Sequence, residues 1–264
     1  MKLAGVIGWP VAQSLSPSLH GHWLKEHGID GLFAALAVRP EDFTRTVGGL
    51  GLAGFRGLSV TVPHKEAAFA LCARRDGFAE RAGAVNQLVF REDGSIEGLN
   101  TDVVGLVASL REAGVDVTGR PAVLLGAGGA ARAARVALEE MGAGEVCQLN
   151  RTEGRAGAQS LDYWAGAARD AALVVNATSA GMKGAPSLTL DLAALPKHAV
   201  VCDIVYNPLE TPLLKQARAL GLATVDGLGM LMHQAVPAFD AFFGVRPQVT
   251  RALRHVLEEA LAHG

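Results

Sequence analysis

The sequence predicts an α/β fold in two parts, an N-terminal α/β domain and a second domain built on a doubly wound parallel sheet. Short apolar runs alternate with helical patterns along the chain, which is typical of β-α units. A glycine-rich turn joins a buried strand to a helix within residues 122–141. The 264 residues are 50% hydrophobic and 19% charged, which indicates a folded globular protein.

The N-terminal part alternates strand and helix. Ser16 followed by Pro17 is a favourable helix start, because a hydroxyl can cap the helix and proline suits its first position. The stretches 85–90 and 95–99, joined by Arg-Glu-Asp-Gly, predict a hairpin. The other predicted elements are strands at 3–8, 32–38 and 57–62 and helices at 17–27, 41–50 and 65–74.

The second part begins after Thr101, with a helix from Asp102 to about Ala113 as a connector. The segment 153–175 is short for this fold, so we expect the edge strand to be reduced or absent. The last helices are expected to pack on the first domain, which would comprise residues 1–101 plus 230–264, with 102–229 as the second domain. Strands are predicted at 122–125, 145–149, 172–177, 199–205 and 223–225, and helices at 130–141, 211–220, 230–243 and 247–263.

The turn after the strand 122–125 reads Gly-Ala-Gly-Gly-Ala-Ala, a G-x-G-x-x-A pattern that opens a helix. Glycines at its first two positions permit a tight turn and close approach of a pyrophosphate to a helix N-terminus. A merely structural glycine-rich turn is the alternative, because the chain contains 32 glycines. The strand–turn–helix–strand context favours a Rossmann-type dinucleotide site.

The next strand ends in Asn150-Arg151-Thr152, with Arg155 one turn further on. A site for NAD normally has Asp or Glu there to bind the ribose 2′-hydroxyl. Arginine suits a 2′-phosphate instead, so the sequence predicts NADP as the cofactor.

Several other classes of function are disfavoured. The formal net charge of −2 and the pI near 6.4 give no electrostatic case for nucleic acid or an anionic membrane. No apolar run approaches the ~20 residues that span a bilayer. Cys72, Cys147 and Cys202 have no metal-binding spacing and suit a reducing cytoplasm, and His20-Gly-His22 lacks the spacing of a helical zinc motif. We therefore expect a cytoplasmic protein without a metal.

Polar side chains follow the predicted strands of the first domain. They lie in the segments 14–17, 59–65, 83–86 and 100–102. Open α/β sheets bind ligands at strand ends, and these hydroxyls and amides suit a polyol better than an apolar substrate. A nicotinamide cofactor also requires an alcohol or carbonyl partner and a group that moves a proton.

These segments belong to a longer ordered set of motifs. In chain order they are S-L-S-P, x-V-T-x-P-x-K, G-A-V-N, N-T-D, G-A-G-G-A, N-R-T-x-x-R, N-A-T-S-x-G, Y-x-P-x-x-T-x-L and G-x-x-M-L-x-x-Q. In this order and spacing the chain resembles the shikimate dehydrogenases over nearly its full length. The resemblance implies an enzyme that interconverts 3-dehydroshikimate plus NADPH and shikimate plus NADP, in aromatic amino-acid biosynthesis.

The resemblance also implies roles for individual residues. Lys65 and Asp102 match the family's catalytic pair. Ser14 and Ser16 are expected to hold the substrate carboxylate. The other expected substrate residues are Thr61, Asn86, Thr101, Tyr206 and Gln234. The matching NADP residues are Gly126, Ala127, Gly128, Gly129, Ala130, Asn150, Arg151, Thr152 and Arg155, with Thr178, Ser179, Ile204, Gly227 and Met230 beside the nicotinamide half.

Each role has a structural alternative. Lys65 could be a surface lysine, although the first turn of a helix is mildly unfavourable for a cation. Asp102 could be a helix N-cap, and Asn86 could satisfy the backbone of a turn. Gln234 could be a buried amide with protein partners, and Tyr206 could pack in the core.

The chain departs from the commonest family pattern at two places. Ser59 stands where many members have Asn, which removes one amide near the substrate pocket. The short segment after Arg155 lies on the adenosine side, so it bears on cofactor affinity more than on chemistry.

Two other functions remain open. One is a quinate or quinate/shikimate dehydrogenase of the same family, against which the paired Ser14 and Ser16 and the arginine-bearing loop argue. The other is an NADP-binding sensor without catalysis, for which Lys65 and Asp102 would be unnecessary. The oligomeric state is left open as monomer or homodimer.

Overall fold

The computed structural model describes residues 1–263. The chain divides into two compact units. The first unit comprises Met1–Thr101 and the residues from Met232 onward, and the second comprises Asp102–Leu231. The chain thus re-enters the first unit at residue 232, where we expected residue 230.

The first unit begins with a strand and ends with a helix. Its elements up to residue 99 are β1 (Lys2–Gly8), α1 (Ser16–Glu26), β2 (Gly31–Ala37), α2 (Phe43–Leu52), β3 (Phe55–Val60), α3 (Lys65–Leu71), β4 (Arg74–Arg75), α4 (Gly77–Ala82), β5 (Gln87–Phe90) and β6 (Ile96–Leu99). The remaining elements of the chain are α5 (Thr101–Glu112), β7 (Ala122–Leu125), α6 (Gly129–Glu140), β8 (Val146–Asn150), β9 (Gln159–Ser160), α7 (Trp164–Ala168), β10 (Leu173–Asn176), β11 (Val200–Asp203), α8 (Pro212–Ala219), β12 (Ala223–Val225), α9 (Gly227–Phe243) and α10 (Arg251–His263).

The sheet of the first unit has the strand order β2-β1-β3-β5-β6-β4. β1 pairs in parallel with β2 and β3, whereas β5 runs antiparallel to both β3 and β6. Because β5 is reversed, its first residue lies at the sheet edge where β3 and β6 end. Gln87 accordingly pairs with Ser59 on one side and Leu99 on the other. The end of β3, the start of β5 and the end of β6 therefore meet at this edge, and polar residues lie in or next to each of them.

Two apolar groups stabilise the first unit. One joins the strand residues Ile7, Leu58 and Leu88 to Phe43 and Val47 of α2. The other is aromatic and joins α1, β2 and α9 through His20, Trp23, Phe33, Phe239 and Phe243. Burial of large side chains of this kind contributes roughly 1.5–3 kcal/mol each.

The sheet of the second unit is parallel and has the order β12-β11-β10-β7-β8-β9. This is the doubly wound order, in which the strand order reverses between β7 and β10. Ligands bind in such folds at the carboxyl ends of the strands beside the reversal. The fold therefore predicts a ligand site at the turn after β7.

The structure confirms the mixed α/β class and most element positions, and it corrects several details. Ser16 is not an N-cap: α1 begins at Ser16, with Leu15 in the cap position. The predicted helix 65–74 ends at Leu71, because the chain then forms β4 and α4, which were not predicted. α9 already begins at Gly227, so Gly227 and Gly229 are helical rather than preceding the helix. The expected reduction of the edge strand is confirmed, since β9 spans Gln159–Ser160.

Candidate active site

Lys65 is the first residue of α3 and follows a turn that leaves β3. The N–H of Thr61 donates to the carbonyl of Ile7 at 2.9 Å, and the N–H of His64 donates to the carbonyl of Thr61 at 3.0 Å. The Lys65 carbonyl accepts from the N–H of Val85 at 3.0 Å. The backbone of Lys65 is thereby tied to the segment that leads into β5.

His64 beside it has a structural role. Its ring is buried and stacks on Phe43, with centroids 4.6 Å apart. Nε2 lies 2.8 Å from the Val38 carbonyl, which it can reach only as a donor. Burial lowers the pKa of His64 below its ordinary value, an effect that the Val38 hydrogen bond opposes.

A hydrogen-bonded group of four side chains lies at the polar edge of the first sheet. Asn86 Nδ2 donates to Thr101 Oγ1 at 3.0 Å and to Gln234 Oε1 at 3.4 Å. Gln87 Nε2 donates to the same two oxygens at 3.1 Å and 3.0 Å. The structure thus brings together Asn86, Thr101 and Gln234, which the sequence assigned to the substrate, and adds Gln87, which it did not.

The backbone holds this group in register. The N–H of Thr101 donates to Asn86 Oδ1 at 2.7 Å, and the Asn86 carbonyl accepts from the N–H of Val60 at 2.7 Å. Asp102 follows directly as the second residue of α5 and is buried. Asp102 is therefore bonded directly to a residue whose backbone N–H belongs to the group.

Asp76 supports this edge and was missed by sequence reasoning. Its Oδ1 accepts from the N–H of Ala79 at 2.6 Å, which caps α4, and from the N–H of Asn100 at 3.2 Å. Asn100 Nδ2 in turn donates to the Ala84 carbonyl at 2.8 Å. Burial raises the pKa of Asp76, although these N–H bonds oppose the shift. An aspartate directly before a short helical stretch was the available signal.

Ser14 and Ser16 lie between β1 and α1. The N–H of Ser14 donates to the Val11 carbonyl at 3.0 Å, and Ser14 Oγ accepts from the N–H of Ser16 at 3.3 Å. Ser14 rather than Ser16 therefore supplies the side-chain oxygen at this helix start. Ser16 is buried, whereas Ser14 is partly exposed.

In the second unit, Gly126 makes the turn that follows β7. Its φ of +114° is a conformation that favours glycine, and a Cβ there would lie 3.1 Å from the Ala177 carbonyl oxygen. The N–H of Gly126 donates to the Leu149 carbonyl, and its carbonyl accepts from Gln148 Nε2, both at 2.8 Å. Gln148 is another residue that sequence reasoning missed.

The next residues fit a bound pyrophosphate. Ala127 is buried, Gly128 occupies the N-cap of α6, and Gly129 and Ala130 form its first turn. A Cβ at Gly128 would meet no atom of the described chain within 4 Å, so packing does not require glycine there. The twelve-residue helix also presents the N–H groups of its first turn without an acidic side chain.

The arginine-bearing loop follows β8. Asn150 is the last residue of that strand, and its Nδ2 donates to the Thr152 carbonyl at 2.9 Å. Arg151, Thr152 and Arg155 are all exposed. The N–H of Gly154 donates to the Ala158 carbonyl at 2.8 Å and closes the loop. Guanidinium groups in such a loop can bind a phosphate by paired hydrogen bonds.

Two buried polar residues end β10 and β11. Asn176 Oδ1 accepts from Thr178 Oγ1 at 2.7 Å, and Asn176 Nδ2 donates to Asp203 Oδ1 at 3.0 Å. Asp203 Oδ2 also accepts from Thr211 Oγ1 at 2.7 Å. Burial raises the pKa of Asp203 despite these bonds. Neither Asn176 nor Asp203 was predicted, although each is a polar residue that closes an apolar strand.

These bonds position several predicted cofactor residues. The N–H of Ile204 donates to the Asn176 carbonyl at 3.0 Å. A Cβ at Gly227 would collide with the Ile204 carbonyl, so Gly227 permits close packing there. Met230 is buried in α9, and Ser179 is exposed after Thr178. Tyr206 is partly exposed in the loop after β11.

Comparison with known proteins establishes the family. A sequence profile described as the shikimate dehydrogenase substrate binding domain matches residues 6–88. The NADP(+) shikimate dehydrogenase of Acidiphilium cryptum is 55% identical over 261 residues, which cover 96% of this chain and 94% of that protein. The chain belongs to the shikimate dehydrogenase family.

Solved structures of shikimate dehydrogenases have the same fold. The shikimate 5-dehydrogenase of Thermus thermophilus, solved with NADP(H) and shikimate, has a TM-score of 0.86 and 36% identity, covering 100% of this chain and 99% of that one. A quinate dehydrogenase from Corynebacterium glutamicum, solved with NAD, has a TM-score of 0.87 and 31% identity, covering 98% and 99%. The fold alone therefore does not separate shikimate from quinate or NADP from NAD.

Within residues 1–263, no three His, Cys, Asp or Glu residues are grouped so that they could hold a metal ion. Over the same range, no helix has the length and apolar content to cross a membrane.

Proposed function

We propose that this chain reduces 3-dehydroshikimate to shikimate reversibly with NADPH, using Lys65 and Asp102 as its catalytic pair. The observation that carries the assignment of residues is the hydrogen-bonded group of Asn86, Thr101 and Gln234. Three segments far apart in sequence supply it, and Asp102 follows Thr101 directly. The identity of 55% with an NADP(+) shikimate dehydrogenase supports the reaction and the cofactor.

The proton chemistry belongs to Lys65. NADPH, when bound, supplies the hydride to the substrate carbonyl carbon. The Lys65 ammonium donates a proton to the carbonyl oxygen as that oxygen becomes a hydroxyl, and the neutral amine recovers it in the reverse direction. A positioned acid or base of this kind contributes about 10²–10⁴-fold. Asp102 accepts a hydrogen bond from a substrate hydroxyl and so orients the ring.

The remaining polar residues recognise the substrate. The hydroxyls of Ser14 and Ser16 donate to its carboxylate. Thr61, Asn86 and Gln234 bind ring hydroxyls, which can form hydrogen bonds with a side-chain hydroxyl or amide. The other two proposed lining residues are Thr101 and Tyr206.

The second unit supplies the cofactor site. Gly126–Ala130 would hold the pyrophosphate at the start of α6, and Arg151 and Arg155 would bind the 2′-phosphate. The fit at Gly128 supports this role, since glycine there is not required by packing. The further proposed contacts are Asn150 and Thr152 on the adenosine side and Thr178, Ser179, Ile204, Gly227 and Met230 beside the nicotinamide.

One assay tests this proposal. The purified protein is given shikimate or quinate, each with NADP or with NAD, and reduced nicotinamide is followed by its near-ultraviolet absorbance. Turnover largely confined to shikimate with NADP is the expected result. Preferred turnover of quinate with NAD would identify the other branch of the family. Binding of NADP without turnover of either substrate would identify a sensor.

We also propose that the enzyme acts in the cytoplasm as a monomer or homodimer. Cys72, Cys147 and Cys202 are free, as expected in a reducing compartment. Cell fractionation and sedimentation of the purified protein test the two statements separately.

A further inference from the structure

Gln87 is completely buried at the polar edge of the first sheet. It lies directly opposite Ser59 in the antiparallel pair of β3 and β5. Ser59 Oγ and Gln87 Oε1 are 2.8 Å apart, while Gln87 Nε2 reaches Thr101 and Gln234. One amide therefore connects Ser59 to the group proposed to bind substrate.

The direction of each hydrogen bond in this group follows from one backbone donor. The Thr101 N–H can only donate, so the oxygen of the Asn86 amide must face it at 2.7 Å. The nitrogen of Asn86 then faces Gln234, which must present Oε1 in return. Gln87 contacts the same Oε1 at 3.0 Å, so it must present its nitrogen there.

The same reasoning fixes Ser59. With its nitrogen directed at Gln234, the Gln87 amide turns its oxygen to Ser59, so the serine hydroxyl donates its hydrogen to Gln87. Ser59 donates its hydrogen to Gln87, so toward a ligand its Oγ can only accept. Gln234 Oε1 already accepts from Asn86 and Gln87, so toward a ligand Gln234 can act only as a donor, through Nε2. Neither amide can rotate alone without placing two donors or two acceptors against each other.

We propose that Gln87 is a positioning residue that sets the hydrogen-bond polarity of the shikimate site, making Ser59 an acceptor and Gln234 a donor toward the substrate hydroxyls. The inference rests on the proposed function. It also accounts for Ser59 where many family members have Asn: Gln87, from the neighbouring strand, supplies the amide that the serine lacks.

The first test replaces Gln87 by Leu, which keeps similar bulk without hydrogen bonds, and by Glu, which keeps the shape but can only accept when ionised. We expect Q87L to raise the KM for shikimate about 10-fold, with a smaller change in kcat and an unchanged KM for NADP. Q87E should raise it at least as much, because its carboxylate faces Gln234 Oε1. Calorimetric titration with shikimate measures the same loss without turnover.

Gln148→Leu is the matched control, since it removes a buried glutamine from the cofactor unit, where Gln148 holds the Gly126 carbonyl. It should raise the KM for NADP and leave that for shikimate unchanged. An unchanged shikimate KM in folded Q87L overturns the inference, as does a parallel rise of both KM values. The activity of the unmodified protein tests the proposed function separately.

A second-site change separates polarity from packing. In the Q87L background, Ser59→Asn returns an amide to the same place, so the KM for shikimate should recover by severalfold. A general loss of packing at Gln87 would not be repaired by a change at Ser59. Failure to recover, in a double variant with the thermal stability of Q87L, would overturn the proposal.

Discussion

At the scale of single residues, His20 is the least usual group in the first unit. It is fully buried and stacks on Phe33, with the rings 3.9 Å apart and parallel within 1°. Among residues 1–263, neither of its ring nitrogens has a hydrogen-bond partner. Desolvation lowers the pKa of His20 from 6.5 to about 3. His20 must therefore be neutral in the folded protein.

This burial predicts a pH-dependent stability. Because the folded pKa lies below the unfolded value of 6.5, the unfolded chain gains a proton at this residue as the pH falls and the folded chain does not. The part of the stability that depends on neutral His20 is fully present above pH 6.5 and is lost progressively between that pH and about 3. The loss at pH 5 is about 2 kcal/mol.

Substitution of His20 by Leu isolates this effect. The difference in free energy of unfolding between H20L and the unmodified protein should change by about 2 kcal/mol in favour of H20L between pH 7 and pH 5. Urea titrations at the two pH values measure it. H20L leaves every other ionisable group in place, so the contributions of those groups cancel in the difference. A constant difference would show that His20 is solvated.

Lys65 gives the corresponding prediction for catalysis. Lys65→Ala should lower kcat by about 10²–10⁴-fold, because the substrate oxygen loses its proton donor. NADP affinity, measured by fluorescence titration, should change little. Lys65→Met retains the aliphatic stem and controls for packing. Unchanged turnover in either variant would contradict the mechanism.

At the scale of elements, the two glycines of the turn after β7 have opposite requirements. Gly126→Ala should lower the free energy of unfolding by about 1–3 kcal/mol, because its φ of +114° strains any side chain. Gly128→Ala should change stability by less than about 0.5 kcal/mol, since its φ of −87° suits alanine and its Cβ meets open space. A bound pyrophosphate would meet that Cβ, so the KM for NADP should rise about 10-fold.

Thermal denaturation and steady-state kinetics on the same two variants check this contrast. Gly128→Ala with an unchanged KM for NADP would argue against the pyrophosphate site. Gly126→Ala with unaltered stability would rule out the strained turn.

Some helices and strands could be predicted from the sequence, whereas others could not. β7 and β12 have the predicted bounds, because a run of apolar residues between turn signals leaves few alternatives. β4 and α4 were missed since they are short and depend on Asp76, whose contacts with Asn100 come from a distant segment. Gln87 was missed for the same reason: it looks like an ordinary strand residue until Ser59 is known to lie opposite it.

At the scale of the whole molecule, each unit has its own apolar core. Ile7, Phe43 and Leu58 belong to the first, and Val123, Trp164 and Val174 belong to the second. The proposed cofactor residues all lie in the second unit, and the proposed substrate residues lie in the first unit except Asp102 and Tyr206. Each ligand should therefore stabilise a different part of the chain.

Hydrogen–deuterium exchange tests this division. NADP should slow exchange in peptides that cover 126–136 and 150–155, and shikimate should slow it in peptides that cover 59–65, 86–88 and 232–236. Bound ligand suppresses the local opening that exchange requires. Protection by NADP of the 59–65 peptides alone would reverse the assignment of the two units.

The facing pair of Ser59 and Gln87 has a consequence for how this enzyme can change by mutation. Asparagine at 59 would bring a second amide against Gln87, and an apolar residue at 87 would leave Ser59 without its partner. We expect either substitution alone to weaken the site and the two together to be tolerated. A combinatorial library over both positions should therefore yield active clones as matched pairs.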